Sequence, residues 1–357
     1  MGLSKEFFLG CIIGGAIGDA FGWPVEFLSD SEIIMKYGEK GLTNLIAGKN
    51  GLAEITDDTQ MSLFTAEGLL IATEGGIPTN VSSYVYEAYL AWLYTQGEYE
   101  CKENKFLSRY RLLYKKELFI KRSPGLTCIK SLKSGIKGII HDPINNSKGC
   151  GGVMRVAPIG LMFQCRQSFQ IACECAAITH GHPSGYLSAG ILACIISEIL
   201  KGKDIEESVG YALLIAKEYK GHEECVDAIN KALSLVPKDI DTKLAIKQIG
   251  EGWVGEEALA IAIYCAIKYK DEFESAIIAS TNHDGDSDST GAITGNILGA
   301  YLGVQSIPKK WVEKIELLDI MAEIAEDIYL SVKNVNAFGA VSKQIKKRNK
   351  KIHNKHF

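Results

Sequence analysis

Proline is scarce in this sequence, and so are the patterns that predict β-strands. Only 8 of the 357 residues are proline, well below the usual share of about 5%. Because proline interrupts helices, this scarcity favours long helical segments. Strictly alternating polar and apolar residues, which would predict half-buried strands, are also rare. We therefore expect an all-α protein.

Cysteine patterns that bind zinc are absent as well. The ten cysteines form no CxxC pair and no CxxC…HxxxH spacing, which argues against a zinc site. Several of them stand in apolar helical segments and are predicted to be small buried side chains: Cys173, Cys175, Cys194 and Cys265. Such unpaired use of cysteine is typical of the reducing cytoplasm, which we expect to be the location of the protein.

Long uncharged runs are missing too. The segment from Phe7 to Ile17 is apolar and follows Lys5, as in a signal peptide. Asp19 and Glu26 interrupt the pattern soon afterwards, so we interpret the segment as a buried helix. No other stretch with suitable flanks reaches the ~18 apolar residues that a membrane span needs. We predict no membrane partner.

Positive charge is concentrated at the C-terminus. Residues 343–357 carry seven Lys and Arg and no acid; without them the net charge of −4 becomes −11. An acidic body argues against nucleic acid as a partner of the core. We predict one domain over residues 1–340, followed by a basic, flexible tail over 341–357.

Apolar residues recur at helical spacing through most of the chain. The predicted helices are Thr59–Thr73, Ser83–Thr95, Ile171–Ile178, Gly185–Leu200, Ile205–Tyr219, Glu223–Leu235, Glu256–Tyr269, Glu272–Ser280, Thr290–Leu302 and Lys309–Val332. The least regular stretch, residues 101–156, is expected to contain long loops, which in a compact domain are usually functional or disordered.

Two acidic clusters stand directly ahead of apolar helices. One is Thr56-Asp57-Asp58-Thr59, and the other spans residues 283–290 and includes Asp286, Asp288 and Ser289. Either cluster alone is explained by helix N-capping, which Asp, Ser and Thr favour. A cap needs only one carboxylate, however. Together the clusters form an all-oxygen ligand set suited to hard divalent cations, Mg²⁺ first.

Two glycine-rich loops and a pair of histidines complete the candidate residues. Residues 147–155 (SKGCGGVMR) include Gly149, Cys150, Gly151 and Gly152, and a turn of this kind exposes N–H groups that can bind phosphate. A tight turn before a helix explains them equally well. In the loop ahead of Gly125, Arg122 either anchors a phosphate or is an ordinary solvated surface residue. His180 and His182 suit hydrogen bonds to a ligand or backbone better than a metal.

A third motif lies near the N-terminus. The small residues of Gly14-Gly15-Ala16-Ile17-Gly18 permit close helix packing. Asp19, inside this apolar helix, needs a buried partner or must face a site. Glu26 follows the helix, where a loop carboxylate can line a cleft.

The order of these motifs resembles that of the ADP-ribosylglycohydrolases. The resemblance spans residues 8–335 and rests on five segments: GCIIGGAIGDAFGWPVEF, TDDTQMSLFTAEGLL, GCGGVMR, THGHPSGYL and DGDSDSTGAITGNILG. It implies a single compact, orthogonal multi-helix domain with two Mg²⁺ ions, or Mn²⁺ in their place, at the base of a cleft. The pair of acidic clusters is the specific part of the match. RSPG at 122–125 and the DSDS form of the last motif look most like the arginine-directed branch.

The resemblance also implies roles for individual residues. The metal ligands would be Thr56, Asp57, Asp58, Asp286, Asp288 and Ser289. The carboxylates near the reacting atoms, one of which would accept the proton of the attacking water, would be Glu26, Asp57 and Asp58. The residues that hold ADP-ribose would be Gly125, Gly149, Cys150, Gly151, Gly152 and His180 or His182.

The expected function is therefore Mg²⁺-dependent removal of ADP-ribose from modified protein side chains, most specifically cleavage of the N-glycosidic bond to arginine. The substrate would be an ADP-ribosylated protein, the product ADP-ribose, and the enzyme a monomer. Two alternatives stay open at this point. One is hydrolysis of another ADP-ribosyl linkage, to serine or in a free metabolite, and the other is an inactive relative that only binds ADP-ribose.

Overall fold

The computed structural model describes residues 4–74, 80–99 and 108–336, and these residues form 16 α-helices. No β-strand occurs within these ranges, only four isolated bridges. In chain order the helices are α1 Lys5–Gly22, α2 Asp30–Tyr37, α3 Asp57–Thr73, α4 Val81–Thr95, α5 Leu126–Lys133, α6 Ala157–Met162, α7 Cys165–Ala177, α8 Pro183–Leu200, α9 Ile205–Ala216, α10 Glu223–Leu235, α11 Thr242–Ile249, α12 Gly255–Lys268, α13 Phe273–Thr281, α14 Ser287–Leu302, α15 Lys309–Val312 and α16 Leu318–Asn336. The predicted all-α class is confirmed.

One predicted helix is wrong in its extent. The segment Lys309–Val332 is divided into α15 and α16, and Leu317 between them has a positive φ of 59°. The interruption is stabilised by backbone pairing, because the Ala53 N–H donates to the Lys314 carbonyl at 2.7 Å and the Glu316 N–H donates to the Ala53 carbonyl at 3.1 Å. Sequence periodicity cannot reveal this pairing, because Ala53 lies far from α15 and α16 along the chain.

The short helices α2, α5, α6 and α11 were not among the predicted elements. Helix α5 is an example: it lies inside the segment 101–156, which was expected to be loops. Helices of six to eight residues are too short to show more than two turns of apolar periodicity. The predicted tail, residues 341–357, lies outside the described residues.

Helices α1 and α14 form the most extensive helix–helix contact of the described structure. They run antiparallel, and both carry glycine at every fourth position: Gly10, Gly14, Gly18 and Gly22 on α1, and Gly291, Gly295 and Gly299 on α14. A Cβ on Gly18 would lie 1.9 Å from the Gly291 carbonyl oxygen, and one on Gly295 would lie 2.0 Å from that of Gly14. The two backbones therefore touch directly, and the last turn of α1 meets the first turn of α14.

The other helices surround this central pair. Helix α16 packs on α1, while α12 and α13 pack on α14. The pairs α3–α4 and α7–α8 extend the core on either side. Two helical segments, Lys5–Val25 and Pro183–Leu200, are long and apolar enough to cross a membrane by composition, but 83% and 89% of their apolar windows are buried inside the protein. Their apolar character is accounted for by the protein core.

The cysteines confirm one expectation and add a feature that the sequence did not reveal. Cys173, Cys175 and Cys265 are buried and unpaired. Cys194 is buried as predicted, but it forms a disulfide with Cys165 and so joins α8 to the start of α7. The spacing of 29 residues between the two cysteines matches no motif, and only the packing of α7 against α8 brings them together.

The α1–α14 contact gives a direct prediction for stability. The change Gly18→Ala should lower the free energy of unfolding by about 3 kcal/mol or more, because overpacking a tight backbone contact forces helices apart. Thermal and urea unfolding will measure this. Gly210→Ala on α9 is the matched control: nothing lies within 4 Å of a Cβ at Gly210, and alanine is the better helix former by about 1 kcal/mol. Equal stabilities of the two variants would contradict the close contact.

Candidate active site

The end of α1 and the starts of α3 and α14 meet at one place because of the α1–α14 contact. Asp19, in the last turn of α1, is fully buried and binds the start of α3. Its carboxylate accepts hydrogen bonds from the backbone N–H groups of Thr56 and Thr59, at 3.0–3.1 Å, and from both hydroxyls. The expectation that Asp19 needs a buried partner is confirmed, and the carboxylate fixes the position of the first acidic cluster.

Arg122 provides a second fixed point for α3, and the alternative that it is an ordinary solvated surface residue is wrong. It is buried rather than solvated, and it forms an ion pair with the buried Glu316 instead of facing a ligand. Its Nη1 also donates to the Ile55 carbonyl at 2.9 Å, while the Ile55 N–H donates to Glu316 Oε1 at 2.8 Å. The carbonyl of Arg122 accepts from the Asp57 N–H at 3.3 Å. Arg122 thus ties the segment ahead of α3 to the interruption between α15 and α16.

Helix capping accounts for only part of each acidic cluster. Thr56 caps α3 by accepting from the Asp58 N–H at 3.3 Å, and Asp286 caps α14 by accepting from the Ser289 N–H at 3.3 Å. The cap of α3 therefore does not need the carboxylates of Asp57 and Asp58. In the second cluster, Asp288 accepts from the Ser289 N–H at 2.9 Å, and the Ser289 hydroxyl acts to lower the pKa of Asp58.

Five buried carboxylates share this region. They are Glu26, Asp57, Asp58, Asp286 and Asp288, here called the carboxylate cluster, and each is at most 7% exposed. Within the described parts of the chain, no Lys, Arg or His forms an ion pair with any of them. Burying several like charges without a cation is costly, so the carboxylates should hold protons or bind cations.

The pKa values reflect this cost. Burial, reinforced by repulsion from Asp286, raises the pKa of Glu26 to about 8. Burial also raises the pKa of Asp57 to about 8, despite the hydrogen bond that the Gly125 N–H donates to its Oδ2 at 3.0 Å. The pKa values of Asp58 and Asp288 are raised well above the usual range, first by burial and then by the neighbouring carboxylates.

The donor set of the cluster fits magnesium. All of its donors are oxygens, which hard cations such as Mg²⁺ prefer. Two buried oxygens, Glu26 Oε2 and Asp58 Oδ1, have no hydrogen-bond partner among the residues that the structure describes. In the described residues no three Asp, Glu, His or Cys side chains are yet gathered into a closed metal cage.

The glycine loop lies against the same cluster. Cys150 Sγ donates to Asp286 Oδ2, and the Cys150 N–H donates to the Trp253 carbonyl at 3.2 Å. The Gly255 N–H donates to the Lys148 carbonyl at 2.8 Å, so the segment before α12 supports the loop from the other side. A Cβ on Gly151 would lie 3.1 Å from Cys128 Sγ and from the ring of His180. These glycines leave room at the bottom of the loop that any side chain would fill.

The two histidines have different surroundings. His180 is 1% exposed and faces Gly149 and Gly151. His182 is half-buried and caps α8, since its Nδ1 accepts from the Ser184 N–H at 3.1 Å. The structure therefore brings His180 to the glycine loop, and it gives the Nδ1 atom of His182 a capping role.

Asp284 is separated from the cluster although it belongs to the same sequence motif. Its Oδ1 accepts from the Asp30 N–H at the start of α2, and Asp30 in turn pairs with Lys243. Conversely, Ser123 was not among the predicted site residues, yet its hydroxyl acts to lower the pKa of Glu26 against the effect of burial. Its positive φ of 49° is a local sign of constraint that the sequence did not reveal.

The comparisons with known proteins identify the family to which this helical fold belongs. The family model described as ADP-ribosylglycohydrolase matches residues 3–337. The chain therefore belongs to the ADP-ribosylglycohydrolase family, and the predicted resemblance is confirmed. Members of this family are hydrolases of ADP-ribosyl linkages, and this is the activity that membership supports here.

Individual relatives are similar over most of their length. The ADP-ribosyl-[dinitrogen reductase] glycohydrolase of Rhodospirillum rubrum is 25% identical, over 87% of this chain and 90% of the relative. The ADP-ribosylarginine hydrolase Tri1 of Serratia proteamaculans is 24% identical, over 90% and 78%. A solved ADP-ribosylglycohydrolase-related protein complex contains a chain with the same fold, with a TM-score of 0.63 and 21% identity over 93% of this chain and all of that chain.

The carboxylate cluster predicts how stability depends on pH when cations are removed. Glu26 and Asp57, whose pKa values are raised to about 8 by burial, are expected to keep their protons in the folded state up to about that pH. The same groups lose their protons near pH 4 in the unfolded chain. Between these limits the folded state binds more protons, so the free energy of unfolding should fall as the pH rises, by about 1.4 kcal/mol per pH unit for each such carboxyl.

Urea unfolding in excess chelator, repeated between pH 4.5 and 8, will measure this slope. Saturating Mg²⁺ should flatten it, because bound cations replace the protons. Glu67 also has a raised pKa, of about 7, through burial, but it lies outside the cluster and contributes equally in both conditions. The difference between the two slopes therefore isolates the cluster. Identical slopes with and without Mg²⁺ would contradict cation binding there.

Proposed function

We propose that this protein removes ADP-ribose from arginine side chains of modified proteins, with two Mg²⁺ ions held by the carboxylate cluster. The observation that carries the proposal is the convergence of five buried carboxylates, none of them in an ion pair, beside a glycine loop. Thr56, Asp57, Asp58, Asp286, Asp288 and Ser289 are the residues that would hold the ions. When bound, the ions supply positive charge that orients the substrate hydroxyls and polarises a water molecule.

The protein's own residues suit the remaining steps. Hydrolysis joins a water oxygen to the anomeric carbon of the ribose and breaks the bond from that carbon to the guanidinium nitrogen, which keeps the electron pair. One proton of the water passes to a base, and the released guanidine takes up a proton, so that arginine and ADP-ribose are the products. Glu26 and Asp58 each have a carboxylate oxygen without a partner, whereas Asp57 Oδ2 is occupied by the Gly125 N–H. Glu26 and Asp58 are therefore the better proton acceptors.

The transition state carries positive charge on the sugar ring, and nearby carboxylates stabilise it. The glycine loop contributes orientation. The glycines of this loop pack against His180, and its Cys150 contacts Asp286. A diphosphate held in the loop would therefore fix the attached ribose at the carboxylates. Fixing a substrate in a reactive geometry is a large part of catalysis in general.

The charge of the cluster supports the arginine linkage. Two divalent ions offset four of the five negative charges, which leaves net negative potential beside the scissile bond. An arginine-linked substrate places a planar cation there, while a serine-linked substrate has none. The relative from Serratia proteamaculans, an ADP-ribosylarginine hydrolase by name, supports the same choice, and so does the DSDS form of the last motif.

Removing single carboxylates should abolish most of the activity. Asp58→Asn and Asp286→Asn should each lower kcat for an ADP-ribosylated arginine peptide by at least ~100-fold, the usual effect of losing a buried electrostatic group at a reacting centre. Chelation of the wild type should have a similar effect, and Mg²⁺ should restore the rate.

Asp227→Asn is the matched control, because Asp227 is an exposed residue of α10. It should retain the wild-type rate. Full activity of the wild type in excess chelator would contradict the role of the metals, even if hydrolysis itself were observed.

The linkage prediction is tested with two peptides that differ only in the modified residue. The value of kcat/KM for the ADP-ribosyl-arginine peptide should exceed that for the ADP-ribosyl-serine peptide by at least ~10-fold, a difference of about 1.4 kcal/mol in transition-state binding. Released ADP-ribose is measured by chromatography. Equal rates, or a preference for serine, would contradict the arginine assignment and favour the alternative linkage.

A further inference from the structure

Arg155 is a buried cation without a carboxylate partner. Its side chain is fully buried, and no Asp or Glu of the described residues lies within ion-pair distance. The guanidinium instead stacks over the Tyr89 ring at 4.4 Å, donates from Nη1 to Cys128 Sγ at 3.2 Å, and donates from Nη2 to the Thr179 hydroxyl at 2.6 Å. A buried charge of this kind is costly, so its contacts call for an explanation.

The contact with Thr179 determines where the hydroxyl proton can go. A guanidinium has no lone pair and can only donate, so the Thr179 oxygen is the acceptor in that hydrogen bond. The same oxygen lies 2.8 Å from His180 Nδ1. Its own proton is then free to be donated, and Nδ1 accepts it if the imidazole carries its proton on Nε2.

One other acceptor is within reach of the hydroxyl. Cys128 Sγ also lies at hydrogen-bonding distance from Thr179. Sulfur is a weak acceptor, and this sulfur already accepts from Arg155. An unprotonated imidazole nitrogen is a stronger acceptor than this sulfur. The Thr179 hydroxyl is therefore expected to donate its proton to His180 Nδ1.

The opposite edge of His180 faces the glycine loop. A Cβ on Gly149 would lie 3.5 Å from Nε2, and one on Gly151 would lie 3.3 Å from it. Among the described residues, Nε2 takes part in no hydrogen bond. Burial, together with the charge of Arg155, lowers the pKa of His180 to about 3, which keeps the ring neutral.

From this geometry we infer that Arg155 and Thr179 act as positioning residues that fix His180 in its Nε2–H form, with that N–H as a hydrogen-bond donor aimed into the glycine loop. The ligand that this donor would meet is an anionic or hydroxyl oxygen of the nucleotide, so this inference rests on the proposed function. A neutral ring can present either a donor or an acceptor at Nε2, and a hydrogen bond from the Thr179 hydroxyl to Nδ1 favours the donor form.

The protonation state can be observed without any substitution. Long-range ¹H–¹⁵N correlation spectra of the full chain with histidine labelling, recorded with Mg²⁺ at neutral pH, distinguish the two forms. The ring signals of His180 are assigned by their loss in His180→Asn. We expect an unprotonated Nδ1 and a protonated Nε2. A protonated Nδ1 would overturn the inference.

Affinity for ADP-ribose tests the consequence. Thr179→Val keeps the shape of the side chain but removes the hydroxyl, and it should weaken ADP-ribose binding about tenfold by calorimetry, near the upper value of a single hydrogen bond. Thr179→Ser keeps the hydroxyl and should bind within about twofold of the wild type. Wild-type affinity of Thr179→Val would overturn the inference.

Thr294→Val is the control for the loss of any buried hydroxyl. Thr294 is fully buried in α14, and its hydroxyl donates to the Thr290 carbonyl alone. It should bind ADP-ribose like the wild type, and an equal loss of affinity in this variant would overturn the inference. If the wild type itself fails to bind ADP-ribose, the proposed function is contradicted. The spectrum still shows independently which ring nitrogen of His180 carries the proton.

Discussion

The direct backbone contact between α1 and α14 is the constraint on which the rest of the structure depends. Glycine at every fourth position lets the two helices approach until carbonyl oxygens lie where Cβ atoms would otherwise be. The register of the contact sets Gly22 against Ser287, so the end of one helix and the start of the other coincide. Two acidic segments that are about 230 residues apart in the sequence thereby meet in one cluster.

Buried polar residues then fix the third component, the start of α3. Asp19 accepts four hydrogen bonds from Thr56 and Thr59, and Arg122 with Glu316 holds the residue before them. These groups fix the position of the segment that carries Asp57 and Asp58. A similar arrangement occurs at the glycine loop, where Arg155 and Thr179 lie beneath His180. In both places a buried polar network fixes the position of a candidate site residue, because a partly satisfied network would be too costly to bury.

The sequence was informative about residue types and less so about their partners. The acidic clusters could be identified because they contain more carboxylates than a helix cap requires. Arg122 could not be assigned, because its partner Glu316 is 194 residues away and neither residue stands in a distinctive pattern. Asp284 shows the reverse case, in which residues of one sequence motif are not placed together. It shares a motif with Asp286 and Asp288, yet it binds the start of α2 because the positive φ of 120° at Gly285 turns the chain between them.

The sequence by itself determined the helical class, the approximate extent of the long helices, and the carboxylates available for a cation site. These properties depend on local periodicity, on the scarcity of proline and on residue chemistry, all of which can be evaluated within a short window. Only the tertiary structure decided which carboxylates are buried together, which hydroxyls cap a helix, and which cysteines pair. Those outcomes depend on the register of α1 against α14 and on buried hydrogen bonds between distant residues. Their energies arise only when the segments are packed against each other.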